Sequence, residues 1–221
     1  MGRQKGRPFS FVLQVLSKGM HRHVLPFARQ GQTIGLLGGS FDPAHEGHVH
    51  VTQSALRTFG LDRIWWVVSP GNPLKENGPA PHGDRIIFAR DLVRHPKVDV
   101  TDVEARLGTY YTAETLSQLM RIYPKIRFTW VMGEDNLAQF HLWKDWEWIG
   151  QNIRIGVISR PNAGNPVLNS PFARKFRNQR LPSVRSRSLA HLPAPAWCFV
   201  NGPLHPQSST LLRAGGVWPI Q

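Results

Sequence analysis

Thr33-Ile34-Gly35-Leu36-Leu37-Gly38-Gly39-Ser40-Phe41-Asp42-Pro43-Ala44-His45-Glu46-Gly47-His48 is the stretch that decides the fold. It reads as a short β-rich run ending in two glycines, then a tight Asp-Pro turn, then a helix starting near Gly47. A first strand that passes through glycines into a helix opens an α/β sheet, and such sheets bind ligands outside the carboxyl ends of their strands. Without Cβ atoms, Gly38 and Gly39 let phosphate oxygens approach main-chain N–H groups, and Ser40 adds a hydroxyl donor. His45 and His48 stand three residues apart at the helix start, so both imidazoles can face one anion at the positive end of the helix dipole. A His-x-x-His pair also suits zinc, but no cysteine and no third ligand stands at a useful spacing. Phosphate binding is therefore the reading retained, and His50, whose spacing and solvent-like context set it apart from the pair, is read as structural.

Outward from this segment, β-rich runs alternate with amphipathic ones, which predicts a Rossmann-like, doubly wound parallel sheet in a single α/β domain. Strands are expected at 33–37, 63–69, 97–101, 126–132, 153–159 and 196–200. Helices are expected at 47–59, 84–94, 112–123, 135–140, 143–149 and from 208 onward. Gly60 can end the first helix in a left-handed conformation, and Pro96 and Pro124 close two others. Residues 161–195, rich in Pro, Asn, Ser and Arg, read as a long basic loop with one short helix.

The chain has 221 residues, 41% of them hydrophobic, and a formal net charge of +13. All 14 acidic residues lie between Asp42 and Glu147, so the basic excess belongs to the flanks. A solvated basic surface explains those flanks as well as attraction to polyphosphate or nucleic acid does, and the former is preferred. Residues 1–31 read as a basic, flexible extension before a domain spanning 32–221. Gln14 interrupts its apolar run and Lys18 follows directly, which argues against a signal peptide. The single cysteine, Cys198, excludes a disulfide framework and favours a reducing, cytoplasmic setting. No run reaches the roughly 20 apolar residues of a membrane span.

The segment 38–48 resembles the signature G-G-[ST]-F-D-P-x-H-x-G-H, and by it the chain is identified as a member of the H-x-G-H nucleotidyltransferase superfamily. Over about 34–213 it most resembles the bacterial nicotinate-nucleotide adenylyltransferases. Pro70-Gly71-Asn72-Pro73-Leu74-Lys75 resembles that family's loop after the second strand, where a basic residue approaches phosphate. Tyr110-Tyr111-Thr112-Ala113-Glu114-Thr115-Leu116 is similar to S-Y-T-x-x-T-L, and Gly133-Glu134-Asp135-Asn136-Leu137 with Trp143 to G-x-D-x-L…W. Ser159-Arg160-Pro161 is similar to the family's R-x-G/N turn, and Ser208-Ser209-Thr210-Leu211-Leu212-Arg213 to S-[SA]-T-x-[IL]-R.

The resemblance implies transfer of AMP from ATP to nicotinate mononucleotide in NAD biosynthesis. It implies phosphate contacts from Gly38, Gly39, Ser40, Phe41, Lys75, Ser208, Ser209 and Thr210, and charge stabilisation by His45, His48 and Arg213. The acceptor falls to Tyr111, Thr112, Asp135, Trp143 and Lys144. Read from the residues alone, Thr112 is as well explained as a plain helix cap, Trp143 as core beside Trp146 and Trp148, and Asp135 as an N-cap. Mg²⁺ is expected to travel on the phosphates, with no protein metal site. The expected partners are ATP and nicotinate mononucleotide; a homo-oligomer is allowed. Competing readings are a nicotinamide-mononucleotide or other small-phosphate adenylyltransferase and, more remotely, a non-catalytic nucleotide or nucleic-acid binder. The chain departs from the family pattern at its ends, with about 30 residues before the first strand and Gly215, Gly216 and Pro219 shortly after Arg213.

Overall fold

Five consecutive buried residues open strand β1, Thr33–Gly39, the burial expected of a central strand covered on both faces. The computed structural model describes residues 25–71, 78–159 and 165–202. After β1 come helix α1 (Glu46–Thr58), β2 (Arg63–Val68), α2 (His82–Leu92), β3 (Val98–Thr101), α3 (Val103–Leu107), α4 (Thr112–Ile122) and β4 (Arg127–Gly133). Helix α5 (Glu134–Gln139), a 3₁₀ turn at Phe140–Leu142, α6 (Trp146–Asn152) and β5 (Arg154–Ser159) follow. The described remainder holds α7 (Pro171–Lys175), β6 (Arg180–Leu181) and β7 (Trp197–Asn201), with 3₁₀ segments between them.

The strands form one seven-stranded sheet in the order β3-β2-β1-β4-β5-β7-β6, and every pairing is parallel. The chain winds outward from β1 through β2 to β3, then returns to lay β4 against the other side of β1. Between β1 and β4 the winding reverses, which opens a crevice at their carboxyl ends. Successive strand residues feed opposite faces: Leu36, Trp65 and Trp130 join one core, and Leu37, Trp66 and Val131 the other.

The predicted parallel α/β sheet is observed, with matching element ends within three residues of expectation; the helix expected from 208 onward lies outside the described residues. Gly60 has φ +68°, and a side chain there would run into the Arg187 carbonyl, so glycine is required both by conformation and by space. The helix expected at 143–149 starts three residues later and runs on to Asn152. Trp143 has extended backbone between the 3₁₀ turn and α6.

The basic loop expected at 161–195 is largely folded where it is described. A 3₁₀ segment at Asn165–Asn169, α7, a 3₁₀ turn at Arg177–Gln179, the short β6 and a nine-residue 3₁₀ segment, Ser183–His191, occupy it. Phe172, Phe176 and Leu189 bury themselves against the sheet. These apolar anchors are too sparse among Arg, Asn and Ser to give a periodic pattern, and 3₁₀ turns have none of their own to show.

Residues 25–31 are tied to the domain. The Tyr123 hydroxyl donates to the Pro26 carbonyl at 2.7 Å, Gly31 N–H donates to the Lys125 carbonyl at 3.0 Å, and Leu25 and Ala28 pack on the core. Among the described residues no helix is long and apolar enough to cross a membrane.

Candidate active site

A cavity of about 450 Å³ opens at the crevice between β1 and β4. Leu37, Gly38, Gly39 and Ser40 line it from the end of β1, Ser69 from β2, Trp130 and Gly133 from β4, and Ile158 and Ser159 from β5. His45 and His48 enter from the start of α1, Thr112 from the start of α4, and Asp135 from the first turn of α5.

The two histidines are held by the helix terminus they stand on. His45 is the N-cap of α1, and its Nδ1 accepts from Gly47 N–H at 3.0 Å. The His45 N–H in turn donates to Nδ1 of His48 at 3.2 Å. An amide can only donate, so in the neutral rings both protons sit on Nε2. The rings lie 3.9 Å apart between centroids. Burial, and then the neighbouring His45 ring, push the His48 imidazole down to about 3. His48 is therefore a neutral donor at physiological pH.

Behind His48, Phe41 is 1% exposed and packs on its ring at 4.6 Å and on Trp66 at 4.9 Å. The indole N–H of Trp66 donates to Thr52 Oγ1 at 2.7 Å, and that hydroxyl donates to the His48 carbonyl at 2.8 Å. The first turn of α1 is thus fastened to β2. Phe41 is a buried packing residue and is not part of the cavity lining, and its φ of 48° is a strained conformation for an aromatic residue.

Gly38 has a different structural reason from the one its sequence implies. A Cβ there would run into the indole of Trp130, so the missing side chain makes room for a tryptophan that itself lines the cavity.

Thr112 lines the cavity as the first residue of α4; the N-cap is Tyr111. The amides of this first turn have no intrahelical acceptor. Asp135 likewise lies inside its helix, whose N-cap is Gly133. Trp143 lines the cavity with its ring edge-on to Phe140 at 5.2 Å and to Trp130 at 6.0 Å. Trp146 and Trp148 pack against the core.

Tyr111 and Lys144 are not among the lining residues. The Lys144 ammonium sits 2.9 Å from Glu114 Oε1 and 4.1 Å from the centre of the Tyr111 ring. The tyrosine that does line the cavity is Tyr110, 62% exposed. Lys75, Ser208, Ser209, Thr210 and Arg213 lie outside the described residues.

Several lining residues were not singled out by sequence. His50, read as structural, lines the same cavity. Glu134 accepts a hydrogen bond from the Ser159 hydroxyl. Glu104 is 7% exposed, accepts from Thr115 Oγ1 at 3.2 Å and is backed by a Thr109–Thr115 hydroxyl contact of 2.7 Å. Burial pushes its carboxyl up to about 7, and the Thr115 hydrogen bond opposes this. A lone acid in a short helix carries no local signal of such burial. The described residues contain no group of three or more His, Cys, Asp or Glu side chains able to hold a metal ion.

Comparisons with known proteins give the family. The model of the cytidylyltransferase-like family matches residues 36–215. A protein of Ruegeria pomeroyi named "Probable nicotinate-nucleotide adenylyltransferase" is 55% identical over 197 residues, covering 89% of this chain and 92% of its own. One of the same name from Parvibaculum lavamentivorans is 46% identical, covering 86% and 96%. Among solved structures, Plasmodium falciparum nicotinic acid mononucleotide adenylyltransferase, complexed with NaAD, superposes with a TM-score of 0.62 at 17% identity, covering 83% of each chain. At that identity it speaks for the fold. The matched span and the identities to these relatives place the chain in the cytidylyltransferase-like family and, within it, among the nicotinate-nucleotide adenylyltransferases.

Proposed function

We propose that this protein transfers AMP from ATP to nicotinate mononucleotide, giving nicotinate adenine dinucleotide and pyrophosphate. The observation that carries this reading is a single cavity lined both by the β1–α1 phosphate turn with His45 and His48 and by Thr112 and Trp143 of the later segments. Two substrates can meet there at a topological switch point.

The acceptor's 5′-phosphate has its second pKa near about 6, so it is already a nucleophile at neutral pH and needs no strong base. One of its oxygens attacks the α-phosphorus of ATP; the bond from that phosphorus to the bridging oxygen breaks and pyrophosphate leaves. Catalysis is then positioning and charge stabilisation. In this reading the Nε2–H groups of His45 and His48 donate to anionic phosphate oxygens, with the amides around Gly38, Gly39 and Ser40. Lys75 and Arg213 supply cations, and Ser208, Ser209 and Thr210 further phosphate contacts. The first amides of α4 at Thr112 receive the nicotinate carboxylate, and Trp143 stacks on the pyridine ring. Asp135 orders the acceptor's ribose. Mg²⁺ enters with ATP as part of the substrate, held by phosphate oxygens and water. A cytoplasmic setting goes with this reading, supported by the single buried thiol, Cys198.

The test is pyrophosphate release from ATP with nicotinate mononucleotide, nicotinamide mononucleotide and phosphopantetheine in parallel. Turnover led by nicotinate mononucleotide is expected. Equal specificity constants for the two pyridine nucleotides would remove the role given to Thr112, and release with none of the three would sink the proposal.

A further inference from the structure

Arg85, in the first turns of α2, has no solvent exposure. Its guanidinium is spread over four main-chain carbonyls from three segments. Nε donates to Ala80 at 2.8 Å, Nη1 donates to Ser69 at 2.8 Å and to Ser40, and Nη2 donates to Pro70 at 3.2 Å. Ser40 and Ser69 directly follow β1 and β2, and both line the cavity. Ser69 N–H also donates to the Gly39 carbonyl at 2.9 Å. Asp42 adds a tie from the other direction, its Oδ1 accepting from Ala80 N–H at 3.2 Å.

An arginine without solvent is costly unless its donors are satisfied. Here carbonyls that have left the sheet ladder satisfy them. Without the guanidinium those carbonyls would have to find other donors. The planar fork is what reaches several acceptors in fixed directions; an ammonium offers three donors from a single point. Burial lowers the guanidinium from its ordinary value and the Asp42 carboxylate opposes that, but the group stays protonated.

We infer that Arg85 is a positioning residue for the triphosphate: by joining the carbonyls of Ser40, Ser69, Pro70 and Ala80 it fixes the turn after β1, whose amides face the phosphates. This rests on the donor half of the function proposed above. Nothing in it depends on which acceptor is used.

The test compares Arg85→Lys and Arg85→Gln with the full wild-type chain. Thermal melting gives the folded fraction, equilibrium binding is measured with ATP and with inorganic tripolyphosphate, and KM is measured for both substrates. With the charge kept but the fork lost, Arg85→Lys is expected to bind ATP and tripolyphosphate about 10-fold more weakly or worse. The acceptor's KM is expected to stay within about 2-fold. A folded lysine variant with wild-type affinity for both ligands overturns the inference, and so does an equal loss for both substrates. If one variant does not fold the other decides; loss of fold in both assigns Arg85 to the domain as a whole and overturns it too. A wild-type chain that binds tripolyphosphate but makes no dinucleotide would defeat the acceptor assignment and leave the Arg85 test readable.

Discussion

The amide of His45 donates to Nδ1 of His48, so one catalytic candidate sets the tautomer of the other. The consequence is an Nε2–H that needs no proton from solvent to act as a donor. His48→Ala should leave the fold intact and lower kcat by about 10²-fold or more, the scale of losing a preorganised donor. Near-normal turnover by a folded variant would remove His48 from the mechanism.

The same arrangement predicts how His48 titrates. With its folded value pushed down to about 3 from an ordinary 6.5, the imidazole contributes stability above pH 6.5 that is lost as pH falls toward 3. Nitrogen-detected NMR should show an Nε2–H tautomer with no titration of this ring between pH 5 and 8. A midpoint near 6.5 would contradict the assignment.

Glu104 has the opposite sign. Its folded value near 7 lies above its ordinary 4.5, so its contribution is fully present below pH 4.5 and lost as pH rises through 7. Glu104→Gln keeps an acceptor for Thr115 and removes the charge. Denaturant unfolding at pH 4.5 and pH 8 should find the variant gaining on wild type by about 3 kcal/mol between them, at 1.36 kcal/mol per pH unit. A gap that does not change with pH would show that Glu104 is ionised where it stands.

Gly38→Ala drives a methyl into the Trp130 indole, an overpacking expected to cost about 1–3 kcal/mol. Trp130→Phe should recover part of that loss in a double-mutant cycle. Two independent, additive losses would mean that Trp130 is not what keeps position 38 a glycine.

Trp143 and Lys144 are neighbours in sequence with different surroundings. Trp143→Ala should raise the acceptor's KM by about 10-fold and leave that of ATP within about 3-fold. Lys144→Ala removes an exposed pair with Glu114, and such pairs contribute little, so its acceptor KM should stay within about 3-fold of wild type. The reverse ranking, measured by steady-state kinetics, would put the Lys144 side chain on the acceptor.

The sheet and the His45–His48 turn were legible because each rests on local pattern: apolar runs, glycines at a strand end, a helix start. Gly38 was legible as a necessary glycine, but its second reason was not, since Trp130 is far away in sequence and is brought to it only through strand pairing. Tyr110 and Tyr111 differ by one position, and the turn into α4 decides which of them lines the cavity. Nothing local marks Glu104 or Arg85, because their partners, Thr115 for one and main-chain carbonyls for the other, are brought to them by the fold. The one short helix expected in 161–195 is there as α7, but the 3₁₀ turns around it escaped detection because turns anchored by single aromatics carry no repeat.

The crevice between β1 and β4 also bears on the order of folding. β1 can pair with β2 early, because a single helix separates them, whereas Thr33 meets Arg127 only after the intervening chain has been closed into a loop. The turn between β1 and α1 can thus be assembled before the wall that carries Trp130 and Asp135 arrives. A dinucleotide bound across that seam would hold late-forming contacts in place, and substrates should slow the opening of β1 from β4 more than they slow the fraying of β3.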